Sequence, residues 1–331
     1  MDPFVPLFSN PHLLTIAGNY WPRRLDVERF PVQAKYFRTA PDVQVLTHSQ
    51  RPAGEPAADL IIVHGLEGSS DAGYARSLSQ AALESGYAVH RFNMRSCGGT
   101  EALCGPQLYH SGQTGDLLAV TRALQADAPN RPRILVGFSL GGNVVLKLAG
   151  ELGASASGLI AGVAAVSTPI DLAACARLLD KPSNLIYARR FLDRLKQRVR
   201  LKESLTPGSF DLGALDKVRT IWEFDDEFTA PSFGFGTAAN YYATQSSNQF
   251  LESIRVPALV VQAKDDPLIP FDVYQHPAFA RNPLLRLVAV DRGGHLGFVA
   301  RRKPRLWLDG LLTEWMAEMR NKVPASTVPY G

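Results

Sequence analysis

The chain has 331 residues, 46% of them apolar and 20% charged, with a formal net charge of +4. That mix can bury a sizeable core and excludes wholesale disorder, while so small a positive excess, without a matching motif, gives no ground for a nucleic-acid partner. Cys97, Cys104 and Cys175 lack C-x-x-C spacing, so neither a disulfide framework nor a structural metal is expected, and a reducing cytoplasm fits best.

The sequence opens Met1-Asp2-Pro3 with no basic stretch ahead of its short apolar run. No run reaches the roughly 18 apolar residues that span a bilayer, so neither a cleaved signal nor a membrane span is expected. Residues 1–30 carry Pro3, Pro6, Pro11 and Pro22 among Phe4, Phe8 and Trp21, which predicts an irregular arm packed on the domain or partly disordered. Alternation in 32–36 and 43–46, with Pro41-Asp42 between, reads as an antiparallel pair.

Continuously apolar runs then follow at Leu60–Val63, Tyr87–Phe92, Ile134–Val136, Leu159–Val166, Ala258–Val261 and Leu285–Val290. Such runs are strands buried on both faces, hence a parallel sheet. Helical patterns at Ala75–Ser85, Gly115–Ala126, Asn143–Glu151 and Arg305–Met319 complete the rhythm of a mostly parallel, doubly wound α/β domain. The rhythm breaks over 170–250, which reads as a mainly helical cap inserted into a core of 31–169 and 251–331. In that cap Phe191, Leu192, Leu195 and Val199 keep helical spacing, and Arg189, Arg190, Arg194, Lys196, Arg198 and Arg200 fill the other positions. The plain reading is a solvated face; the alternative is peripheral contact with an anionic membrane surface.

Gly137-Phe138-Ser139-Leu140-Gly141 matches G-x-S-x-G between a strand and a helix. This turn is so tight that its flanking positions must lack bulk, and it lifts the Ser hydroxyl to the carboxyl edge of the sheet. A base and an orienting acid should follow, each on a loop after a late strand. His295 follows Leu285–Val290 through Gly293-Gly294, and Asp265-Asp266 follow Ala258–Val261. We favour Asp266 as the partner of His295, leaving Asp265 to brace its loop. Two backbone N–H groups should receive the developing negative oxygen. Leu140 supplies one, and Leu66, in His64-Gly65-Leu66-Glu67-Gly68 after Leu60–Val63, the other. His64 reads as a brace.

Further blocks accompany these residues: Asn10-Pro11-His12-Leu13, Asn93-Met94-Arg95-Ser96-Cys97-Gly98-Gly99, Tyr109-His110-Ser111-Gly112-Gln113-Thr114-Gly115-Asp116, Phe224-Asp225-Asp226, Tyr241-Tyr242 and Gly293-Gly294-His295-Leu296-Gly297-Phe298. With them the chain resembles, over nearly its whole length, the YheT-like branch of the α/β-hydrolases, which includes bacterial esterases and eukaryotic lipid hydrolases and ethyl-ester-forming acyltransferases. The resemblance implies an α/β-hydrolase fold, a triad on Ser139, Asp266 and His295, and action on acyl esters without metal or organic cofactor.

The expected function is hydrolysis of short- to medium-chain acyl esters, monoacylglycerol-like lipids included, through an acyl-enzyme. Its rivals are transfer of the same acyl group to an alcohol, and a non-catalytic binding protein on this fold. Oligomeric state is not legible. Phe191, Phe228, Phe233, Phe235, Tyr241 and Tyr242 are candidates for the pocket wall or the cap core, with core favoured for most.

Overall fold

From Pro11 the chain is already helical. In the computed structural model, which describes residues 3–322, helix α1 runs Pro11–Tyr20. Asn10 caps it, its side-chain oxygen accepting the His12 and Leu13 N–H at 2.9 and 3.1 Å, and Pro11 stands in the first turn, where its missing N–H costs nothing. The irregular arm expected for residues 1–30 is therefore wrong at its centre.

A hairpin of β1 (Gln33–Ala40) and β2 (Val43–Gln50) leads into β3 (Asp59–Val63), helix α2 (Gly73–Glu84), β4 (Ala88–Phe92), α3 (Thr114–Asp127) and β5 (Arg133–Phe138). Helix α4 (Leu140–Leu152), β6 (Gly162–Val166), β7 (Ala258–Ala263) and β8 (Leu285–Val290) complete the sheet layer. The eight strands lie in the order β1-β2-β4-β3-β5-β6-β7-β8. The pairings of β2 with β1 and with β4 are antiparallel, and every other pairing is parallel.

Strands β3 to β7 are buried along their whole length, because helices cover both faces. Alternate residues point to opposite sides. Ile61, Val63 and Leu135 join Leu117 and Val120 of α3 and Val144 of α4 in one core. Leu60, Ile62 and Val136 join Leu78 of α2 and Leu312 and Met316 of the last helix, Trp307–Lys322, in the other.

After β4 the chain returns to the far side of β3 to lay down β5. The order of strands reverses there, opening a crevice at the carboxyl ends of β3 and β5. Strands β6 and β7 are bonded neighbours, so residues 167–257 leave and re-enter the sheet without adding a strand. They form α5 (Leu172–Leu179), α6 (Leu185–Leu205), short helices Leu212–Lys217 and Ala238–Gln245, and a helical stretch from Ile221 whose residues Asp225–Thr229 form a π turn.

Candidate active site

Ser139 sits between β5 and α4 with φ +53° and ψ −121°, a left-handed backbone that a serine adopts only where its surroundings impose it. The surroundings here are close. A Cβ on Gly137 would overlap the Gly141 carbonyl, and one on Gly141 would overlap the carbonyls of Val63 and His64 at the end of β3. Helix α4 starts at Leu140, three residues before its expected start, so the Leu140 N–H belongs to its first turn, where such groups point out of the helix.

His295 Nε2 stands 3.0 Å from Ser139 Oγ, and His295 Nδ1 stands 2.9 Å from Asp266 Oδ2. A carboxylate only accepts, so Nδ1 carries the proton and Nε2 turns a lone pair to the serine hydroxyl. Asp266 is itself fixed: its Oδ1 accepts the Leu268 and Ile269 N–H at 2.9 and 3.2 Å, and Gln262 Nε2 donates to Oδ2 at 3.2 Å. Asp265 does a different job, accepting the Gly293 and Gly294 N–H at 2.7 and 2.9 Å and so bracing the loop that carries His295. The three side chains named from sequence meet in the crevice.

Helix α1, missed in the sequence, completes this corner. The Thr15 hydroxyl accepts the His295 backbone N–H at 2.9 Å and donates to the Pro11 carbonyl at 2.8 Å. Backbones touch here: a Cβ on Gly18 would overlap the Leu296 carbonyl, and one on Gly297 the Leu14 carbonyl.

A family model described as the alpha/beta hydrolase fold matches residues 60–301. The chain belongs to the α/β-hydrolase family. It is 32% identical to the Escherichia coli (strain K12) protein named "Putative esterase YheT", over 95% of this chain and 92% of that one. It is 30% identical to the mouse (Mus musculus) protein named "Phospholipase ABHD3" over 78% of this chain, spanning 63% of that relative's length. Among solved structures, the Pyrococcus furiosus esterase Pf2001 overlays with a TM-score of 0.58 at 17% identity, covering 96% of this chain and 99% of that one; at that identity the likeness speaks for the fold.

In this α/β-hydrolase the loop after β3 packs against the serine. A Cβ on Gly65 would lie 3.1 Å from Ser139 Cβ, which brings Leu66, next in the chain, to the wall of the same cavity. His64 braces the loop: Nε2 accepts the Met94 N–H at 3.2 Å, so Nδ1 donates to the Gly65 carbonyl at 2.7 Å. Burial lowers its pKa to about 4 against the raising effect of that carbonyl, keeping the ring neutral. Ser96, noted above in the Asn93–Gly99 block, has φ +58° and is held by its hydroxyl donating to the Gln107 carbonyl at 2.6 Å.

Glu67 follows Leu66 with φ +51°. Arg198 of α6 grips its carboxylate with two hydrogen bonds, 2.8 and 2.9 Å. The Tyr109 hydroxyl accepts the Glu67 N–H at 2.7 Å and donates to Glu67 Oε1 at 2.8 Å, so the Tyr109–Asp116 block serves this loop. Lys202, further along α6, donates to the Glu101 and Gly105 carbonyls at 2.6 and 2.5 Å. Through Arg198 and Glu67, α6 is clamped to the loop bearing Leu66. Arg198→Ala leaves a Glu67 side chain that is only 4% exposed with no charge partner and just the Tyr109 hydroxyl donating to it, a loss of about 3 kcal/mol, the low end for a buried pair broken on one side. Replacing both partners, as Glu67→Gln with Arg198→Ala, should recover most of that stability in thermal unfolding but not turnover, because the loop loses its tether to α6 either way.

Two cavities meet at Ser139, His295, Leu66 and Phe191. The inner one, about 110 Å³, is walled by apolar residues such as Leu108, Leu172, Leu179, Phe224 and Leu268. The outer one, about 530 Å³, opens between α1 and α6 and is lined by Ile16, Tyr20, Asp71, Arg190 and Arg194. Of the six aromatic residues singled out between 170 and 250, Phe191, Tyr241 and Tyr242 line the inner cavity; Phe228 belongs to the core beneath it, Phe233 packs on that core and on His110, and Phe235 packs on Tyr241. Among the described residues no cluster of three or more His, Cys, Asp or Glu could hold a metal ion.

The inner wall carries one carboxyl group, which sequence reasoning left without a role. Asp225 starts the π turn, its Oδ2 accepting the Tyr242 hydroxyl at 2.6 Å. Burial raises its pKa to about 6, against the lowering effect of hydrogen bonds from Thr229 and Tyr242. A carboxyl raised on folding favours the fold when protonated, so that contribution is complete below about pH 4 and is lost as pH rises through 6. Asp225→Asn, which keeps an acceptor for Tyr242, should therefore stabilise the protein by about 3 kcal/mol near pH 8 and by nothing near pH 4. Chemical denaturation at the two pH values measures the difference.

Proposed function

We propose that this protein is a serine hydrolase that cleaves carboxylic esters of short- to medium-chain acyl groups, monoacylglycerol-like lipids among them. The observation that carries the reading is the unbroken relay from Asp266 through His295 to Ser139, at the junction of an apolar cavity and a larger, more polar one. His295 takes the Ser139 proton, the alkoxide attacks the ester carbonyl, and the Leu140 and Leu66 N–H groups receive the oxyanion, each contributing about 3 kcal/mol to the transition state. His295 returns the proton to the departing alcohol, and water repeats the cycle on the acyl-enzyme. The acyl chain fits the inner cavity, where apolar surface is removed from water; the alcohol portion fits the outer one. The kinship with proteins named as an esterase and a phospholipase supports ester cleavage.

The test is hydrolysis of p-nitrophenyl esters from acetyl to palmitoyl, with ethanol or glycerol added to compete with water. An optimum at short to medium chains, with mainly free acid as product, is the expected result. Ester products in preference to acid would convert the assignment to acyl transfer, and no turnover at any chain length in folded protein would overturn it.

A further inference from the structure

The outer cavity is rimmed by surface that a water-facing enzyme has no need of. Helix α1 turns Leu13, Ile16 and Tyr20 outward, 51%, 48% and 69% exposed. Their spacing of three and four places them on one stripe, so the apolar stripe of this helix faces solvent while its small residues face the His295 loop. Across the opening, α6 begins with Leu185 and Ile186, 57% and 83% exposed. The two helices touch, with His12 Nδ1 3.1 Å from the Tyr187 hydroxyl and Arg190 donating to the Tyr20 hydroxyl at 3.4 Å. Single exposed apolar residues need no explanation, but a paired set around the mouth of a cavity does.

Charge marks the same rim. Arg189, Arg190 and Arg194 are exposed and make no ion pair among the described residues, and the acid exposed beside them on α6 is Asp193. Tyr187, Arg190, Phe191, Arg194 and Arg198 face the cavities, while Ile186 and Arg189 lie on the adjoining outer face. Apolar side chains projecting from a basic collar are what an anionic lipid surface accepts: the apolar groups enter the headgroup boundary and the arginines meet lipid phosphates.

We infer that the α1–α6 rim docks the protein on an anionic membrane surface, so that the outer cavity opens onto lipid and an ester enters from the bilayer. The function proposed above gives this docking its purpose, but the docking is measured without turnover.

The experiment is cosedimentation with phosphatidylcholine vesicles with and without phosphatidylglycerol, at low and high salt. Wild type should bind the anionic vesicles and be released by salt. Arg189→Ser should weaken partitioning roughly fivefold, and Ile186→Asp should abolish it, while both keep wild-type hydrolysis of a water-soluble butyryl ester. Absence of binding, or binding that Ile186→Asp leaves intact, would overturn the inference. So would a lipid-free dimer that Ile186→Asp dissociates, since the face would then belong to a second copy. Intact vesicle binding in a protein without ester turnover would overturn the function and leave the surface standing.

Discussion

Ser139→Ala should lower kcat on p-nitrophenyl butyrate by about a million-fold and abolish covalent labelling by a fluorophosphonate, with unfolding unchanged. On the proposed mechanism this removes the one atom that forms the acyl bond, and loss of a Ser-His-Asp nucleophile costs about this much. Stability should hold because, among the described residues, Oγ hydrogen-bonds only to His295, while the strained backbone at Ser139 is kept by Gly137, Gly141 and the Ser139 N–H donating to the Val166 carbonyl at 2.8 Å. His295→Ala should cost a similar factor, and the double variant no more than either alone, since the two act as a unit. Persistent labelling of Ser139→Ala would place the nucleophile elsewhere.

Adjacent carboxylates with unequal effects provide the second expected result. Asp266→Asn should lower kcat by about ten-thousand-fold: an amide can donate to Nδ1, which moves the ring proton to Nε2 and turns an N–H on Ser139. Asp265→Asn should cost less than about tenfold, because an amide oxygen still accepts the Gly293 and Gly294 N–H groups. The measurement is kcat for each variant against pH, and equal losses at the two positions would refute the division of labour.

Much of this frame was legible because a strand covered on both faces has no polar alternation to blur it. That is why β3, β5 and β7 could be placed within two residues; β8, expected to be buried on both faces, is instead the partly exposed edge strand. Ser139, Asp266 and His295 could be paired across more than a hundred positions once each was seen to follow a strand of one parallel sheet. The run Leu159–Val166 started early because Leu159 and Ile160 are buried before β6 begins. Helix α1 was missed for a physical reason: its buried side is Leu14, Thr15 and Gly18, while Leu13 and Ile16 are exposed, so no apolar stripe marks an inward face. Arg198 was visible only as one cation in a basic helix. Its partner Glu67 lies 131 residues away, and nothing in local spacing links them. Asp225 stood in a quoted motif, but its enclosure depends on Tyr242 and on cap packing that only tertiary structure supplies.

The hydrogen bond from His295 to Thr15 joins residues 280 positions apart. A contact of that span closes late in folding, since the loop entropy must be met before the bond contributes anything. The sheet can form from nearer neighbours while the base still waits for α1 to dock, so on refolding, circular dichroism should recover ahead of enzymatic turnover. On the proposed mechanism the serine then stays without its base until the last loop of the sheet has been made and α1 has docked against it.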